Sequence, residues 1–367
     1  MVPAIRNIQY YLTRHIDGVL LAFTFLLMAV GMVTLFSASN ASVARSTAQF
    51  ANIVVALCVM WVFANIPPHF LSRLAFPLYV LGVLLLVSVA LFGDVVNGAR
   101  RWLDVGVTRV QPSELMKIAV PLALAWYFDR YETSLRLWHY LVAAVMLVVP
   151  VALIARQPDL GTAVLITASG FFVIFLAGLS WRIIAGLAVA GATALPFVWS
   201  LMHDYQRQRV LTLLDPAQDP LGAGYHTIQS TIAVGSGGWL GKGWLNGTQT
   251  HLDFIPERTT DFIFAVFAEE FGLFGCLALL ALFLLAISRG LVITAQATTL
   301  FARLLAGAIT LTFFTYAFVN MGMVSGILPV VGVPLPFVSY GGTSLVSICL
   351  GFGILMSIQS HKKLVQT

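Results

Sequence analysis

The sequence predicts an all-α integral membrane protein. It has about ten transmembrane helices, a large extracytoplasmic loop between spans 7 and 8, and a broken or re-entrant segment before span 10. Three observations predict this. Apolar residues make up 59% of the 367-residue chain and charged residues only 10%. Apolar runs of about 18 residues or more, enough to cross a bilayer's hydrocarbon core, recur from end to end, and mean hydropathy is +0.92. The polar residues are also concentrated: positions 203–261 hold 10 of the 35 Asp, Glu, Lys and Arg residues. A transmembrane β-barrel would show short alternating segments instead. No other polar stretch is long enough to build a soluble core, so residues 1–367 read as one polytopic membrane domain.

Taken in order, the spans are 16–38, 47–65, 70–92, 113–128, 138–155, 162–179, 183–202, 262–288, 304–325 and 341–358. The first is too long for a signal-peptide core and lacks a small-residue cleavage pattern, so it stays as a span. The fourth to sixth are short, which suits tilted or broken helices. Ten spans put both termini on one side. That side carries ten Lys and Arg residues and the other nine, but its charges sit in short connections, where they weigh more. The termini are therefore placed in the cytoplasm. Residues 326–342, GILPVVGVPLPFVSYGG, hold too many Pro and Gly to be a continuous helix. Irregular backbone at membrane depth is tolerated only when buried in protein or lining a watery cavity.

Several function classes are excluded. No nucleic-acid motif or basic run is present. The run SGGWLGKGWLNGTQT, 236–250, lacks the spacing of a P-loop and the strand before it, which argues against a nucleotide. It is Gly-rich and expected to be mobile, with Trp239 and Trp244 as interfacial anchors or sugar platforms. Cys58, Cys276 and Cys349 lie inside apolar segments and read as packing residues. The net charge of +5 fits contact with anionic lipid without singling it out.

Four stretches carry charge at or within the membrane boundary, where it is costly and usually functional. The first, RRWLDVGVTRVQPSELMK (100–117), offers Arg101, Arg109, Gln111, Glu114 and Lys117. Glu114 and Lys117 are three apart, so they share a helix face. They form either a structural pair or the polar wall of a cavity that faces phosphate. In ARQPDLGTA (155–163), Asp159 either caps the sixth span or joins Arg156 and Gln157 in a polar patch. The long loop adds Arg207, Arg209, Lys242 and Arg258. In PERTTDFIFAVFAEEFG (256–272), Asp261 is either the cap of the eighth span or a reactive carboxylate. Glu269 and Glu270 fall two turns deeper, roughly 12 Å along the axis. They imply a hydrated cavity or a tightly bonded network.

RRWLDVG, QPSELMK, QPDLGTA, DYQRQRV, DPLGAGYH, GSGGWLGKGW, FIPERTTDFIFAVFAEEFG and GILPVVGVPLPFVSYGG follow one another as in the SEDS family. The resemblance covers essentially the whole chain. The QRQRV loop and the VVGVPLPFVSYGG segment resemble the elongation branch rather than the division branch. The resemblance implies a peptidoglycan glycosyltransferase of the bacterial cytoplasmic membrane. Its substrate would be lipid II, and its partners a class B penicillin-binding protein and other elongation-complex membrane proteins. It matches the family's essential loop Asp to Asp261 and its polar fourth-span positions to Glu114 and Lys117. A divalent cation, magnesium or manganese, is expected but attaches to no residue.

On that reading Asp261 is the base of an inverting displacement, in which pyrophosphate leaves. Arg109, Lys117, Arg207 and Arg209 would stabilise the leaving group. A lipid II transporter and a non-catalytic scaffold for the penicillin-binding protein are the rival classes. Broken helices and intramembrane charges also occur in transporters.

Overall fold

A computed structural model describes residues 14–96, 99–104, 109–157, 159–202, 207, 211, 215, 224–252, 254–255 and 257–361. Each of the ten apolar segments is a helix. They are α1 (Gly18–Ala38), α2 (Val43–Ala64), α3 (Pro68–Phe92), α4 (Pro112–Arg130), α5 (Leu137–Ala155), α6 (Leu160–Leu176) and α7 (Trp181–Leu201). After α8 (Tyr225–Ser236) and the short α9 (Thr248–His251) come α10 (Ile263–Ala295), α11 (Leu300–Val324) and α12 (Gly342–Ser360). Seven of the described helices are long and apolar enough to cross a membrane; α6 and the first part of α7 are shorter apolar helices. This is an all-α integral membrane protein. Three boundaries differ from expectation by four residues or more: α2 starts at Val43 rather than 47, α10 runs to Ala295 rather than 288, and α11 starts at Leu300 rather than 304. Hydropathy alone does not see that polar residues such as Arg289 can continue a helix once it has formed.

Local chemistry sets the helix starts. Asp17 accepts from the Leu20 amide at α1, Asp159 from Thr162 at α6, and Thr299 from Ala302 at α11. Prolines open α3 and α4, where the missing N–H would be unpaired anyway. One element was not expected. A small antiparallel sheet joins α3 to α4, with β1 (Asp94–Val96), β2 (Ala99–Asp104) and β3 (Arg109–Val110) in spatial order. Its register pairs Asp94 with Trp102 and Leu103 with Val110. Strands this short carry too few residues for an alternating signal.

The core runs through α4, α11 and α12. Along α11 67% of the apolar window is buried, against 22% for α3 and α5. Among its described residues α7 has none buried. Between α11 and α12, residues 325–341 form no regular helix, yet Val333, Leu335, Phe337 and Val338 are almost fully buried. Helix α1 accommodates this segment at Gly31, where a Cβ would come within 2.7 Å of the Phe337 carbonyl and the Val338 Cα. At the opposite end of the bundle Arg289 pairs with Asp17, and His15 stacks on His361 at 4.5 Å.

Candidate active site

Asp261 lies in a run of turns just before α10. The capping reading does not hold: the N-cap position is Phe262, and no side chain caps the helix. Instead the backbone around Asp261 is held from the irregular segment and from α11. Three consecutive carbonyls each accept one bond. Thr259 O accepts from the Tyr340 amide at 2.9 Å, Thr260 O from Ser339 Oγ at 2.6 Å, and Asp261 O from Asn320 Nδ2 at 2.8 Å. Asn320 Nδ2 also donates to Val333 O at 2.7 Å, and Ser339 Oγ accepts from the Leu335 amide. Irregular buried backbone must find partners outside a helix ladder, and these side chains provide them. Among the described residues no donor reaches the Asp261 carboxylate. Burial pushes it up to about 6, and the negative charge of Glu257 adds to the effect.

A second polar cluster sits one helical turn away. Lys117 Nζ donates to Glu114 Oε1 at 2.6 Å, and Ser347 Oγ donates to Glu114 Oε2 at 2.8 Å. Lys117 also lies 5.6 Å from the centre of the Tyr316 ring. Asp159 caps α6 through one oxygen and accepts from Gln111 Nε2 at 3.2 Å with the other, while Gln157 Nε2 donates to Leu86 O instead of joining Asp159. Tyr316 and Asn320 are four residues apart on α11, about 6 Å along the axis. That helix therefore links the Lys117–Glu114 pair to Asp261. A small cavity of about 40 Å³ opens beside the pair, lined by Lys117, Thr312, Tyr316, Ser347 and apolar side chains.

The Glu269–Glu270 alternatives resolve to a network. Glu269 is fully buried and accepts from Lys242 Nζ at 2.7 Å, Thr248 Oγ1, the amides of Gln249 and Thr250, and Thr250 Oγ1. Ser37 donates to Glu270. Helix α10 breaks at Gly272, whose φ of 64° suits glycine. The Gly-rich loop fills the break. Lys242 and Gly243 amides donate to the carbonyls of Glu269 and Glu270, and the Leu273 and Phe274 amides donate to Gly238 and Trp239. The expectation of a mobile loop is therefore corrected: its glycines allow close backbone pairing. Lys242 spends its charge on Glu269 here. Trp244 donates to Val33 O and packs near Phe36.

The remaining expected residues are dispersed. Arg258 donates to Thr250 O, tying the Asp261 loop to the Glu269 network. Arg207 donates to the carbonyls of Trp199 and Ser200 at the end of α7. Arg101 and Arg109 fall in β2 and β3, with their side chains outside the described residues, and Arg209 lies wholly outside them. Among the described residues no three His, Cys, Asp or Glu side chains group to hold a metal ion. Asn320, Ser339, Tyr316, Ser347 and Arg45 were missed. Arg45 shares a polar cleft with Glu257 and Arg258. The others are polar residues inside apolar helices or the Pro-rich segment, and that placement was the available signal.

The fold and site define a class: a helical membrane protein with a carboxylate that no donor reaches among the described residues and a buried ion pair, joined by one central helix. Residues 18–364 match the cell cycle protein family of FtsW, RodA and SpoVE, and the chain belongs to that family. The peptidoglycan glycosyltransferase MrdB of Escherichia coli K12 is 52% identical over 352 residues, covering 96% of this chain and 95% of the relative. A solved chain from a peptidoglycan synthase complex, described for its coordination of polymerization and crosslinking, superposes with a TM-score of 0.81. It is 35% identical and covers 94% of this chain and 97% of that one. The rod shape determining protein RodA of Thermus thermophilus gives 0.71 at 28% identity, covering 94% and 96%.

Proposed function

We propose that this protein polymerises lipid II into glycan strands during cell elongation, with Asp261 as the general base. Its peptidoglycan glycosyltransferase activity follows from family membership and from 52% identity to a named member over nearly the full length. The observation that carries the role of Asp261 is its setting. Its main chain is fixed by a bond at each of three successive carbonyls, while among the described residues no donor reaches its carboxylate. A base is most effective when its pKa lies near the working pH, and burial brings this carboxyl to about 6.

In the proposed step the 4-hydroxyl of one lipid II attacks C1 of the lipid-linked glycan. The new C1–O bond forms as the bond from C1 to the pyrophosphate oxygen breaks. The hydroxyl proton passes to Asp261, undecaprenyl pyrophosphate leaves with the electron pair, and C1 inverts. One displacement needs one base and no enzymic nucleophile. Lys117, Arg109, Arg207 and Arg209 are the candidate cations for the diphosphate, with Arg101, Gln111, Glu114, Asp159 and Arg258 as further substrate contacts; Lys242, expected among them, pairs with Glu269. A divalent cation remains part of the proposal, assigned to no residue.

The setting proposed is the bacterial cytoplasmic membrane, with ten spans, both termini cytoplasmic, 203–261 outside and 326–342 re-entrant. The partner proposed is a class B penicillin-binding protein. The test is lipid II polymerisation by the purified protein with that partner, its transpeptidase blocked. Strands from native protein but not from Asp261→Asn support the reading. Strands from both keep the polymerase and remove Asp261 as base. No strands from an intact complex, with lipid II transport in proteoliposomes, would replace the polymerase with a transporter.

A further inference from the structure

We infer that Asn320 and Ser339 are positioning residues that set the Asp261 carboxylate for reaction, acting through the main chain; the inference rests on Asp261 being the base. The carboxylate itself is anchored by no donor among the described residues, so its place depends on residues 259–261. These residues are not in a helix ladder, since α10 begins only at Ile263. Their conformation is therefore set by what grips their carbonyls. Two of the three grips are side chains. Ser339 Oγ holds Thr260 O and is itself oriented by the Leu335 amide, which it accepts. Asn320 is fully buried and gives Nδ2 to Asp261 O and Val333 O at once.

The two hydrogen bonds donated by Asn320 have a geometric consequence. It fixes Val333 against the Asp261 backbone, and a Cβ at the adjacent Gly332 would lie 3.4 Å from Asp261 Oδ2. The irregular segment thus forms a wall beside the carboxylate. Asn320 also sits one turn from Tyr316, which packs against Lys117. One helix therefore sets the distance between the base and the ion pair. Removing Nδ2 leaves two buried carbonyls unpaired and frees the wall from the base. A displacement of about 1 Å in a reacting group is enough to cost on the order of 100-fold in rate.

The experiment compares Asn320→Ala and Ser339→Ala with Asp261→Asn and with Ser357→Ala. Ser357 also holds a buried carbonyl, that of Ile66, but at the opposite end of the bundle. Each variant is purified with its transpeptidase partner, and lipid II polymerisation is measured against substrate concentration and pH, with melting temperature recorded. The expected result is a kcat at least about 10-fold lower for Asn320→Ala, less for Ser339→Ala, with KM within about 3-fold and the acid limb of the pH profile displaced. Ser357→Ala should change neither kcat nor the profile. Native kcat and profile in both site variants, with Asp261→Asn inactive, would overturn the positioning role and leave the base standing. A fall in kcat matched by Ser357→Ala at equal melting temperature would reduce the role to stability. Activity in Asp261→Asn would remove both readings together.

Discussion

Asp261 and Glu269 are carboxylates eight residues apart at the same end of the bundle, and their surroundings are opposite. Glu269 is fully buried and saturated, with five donors on its two oxygens. Asp261 has a gripped main chain and, among the described residues, a carboxylate that no donor reaches. A carboxylate whose lone pairs are all used can neither take a proton nor meet a substrate without breaking its network, so Glu269 holds structure. One held by its backbone alone keeps its oxygens for chemistry. Glu269 is fully buried and Asp261 half-buried, but the larger difference is where the bonds land.

The comparison breaks most sharply under direct substitution. Asp261→Asn should lower lipid II polymerisation by at least about 100-fold, the usual contribution of a general base, in a strand-forming assay at normal protein level. Its melting temperature should not fall. The raised pKa means that the folded state prefers the protonated carboxyl. Any stability from Asp261 is thus fully present below pH 3.8 and is lost as pH rises toward about 6. At neutral pH the amide removes a strained charge. Glu269→Ala should do the reverse and cost about 3 kcal/mol, because Lys242 and several donors are left without their acceptor. A melting scan that shows native stability would end the structural reading of Glu269.

Smaller effects sharpen the contrast. Native polymerisation should decline as pH falls through about 6, since only ionised Asp261 accepts a proton. A flat rate between pH 5 and 7 in the purified complex, taking those limits as about one unit either side, would argue against it. Lys117→Met should reduce kcat by roughly 10-fold while retaining fold, if the ion pair faces the leaving group. Arg45→Ala should be mildest, raising KM about 3-fold through loss of one exposed cation in the polar cleft. Titrating lipid II against each variant separates these two.

The apolar helices were legible because burial in lipid demands long apolar runs, and composition reports that directly. Asp261, Glu114, Lys117 and Asp159 were legible because charge at a membrane boundary is rare enough to stand out. Asn320, Ser339 and Tyr316 were not. A single polar residue among apolar neighbours carries no sign of which distant carbonyl or ion it will meet. The Gly-rich loop misled in the same way: glycine permits both mobility and close backbone pairing, and only the broken turn at Gly272 decides between them.

The sequence by itself determined the membrane class, the helical segments, the irregular Pro-rich stretch and the family, because each depends on local composition or on motifs in order. The tertiary structure alone decided which carboxylate is saturated and which, among the described residues, meets no donor. It also placed Asn320 across the Asp261 loop and Val333, and Lys242 on Glu269. Those outcomes depend on contacts between residues far apart in the chain. A hydrogen-bond partner is fixed by position in space, and local sequence does not encode that position.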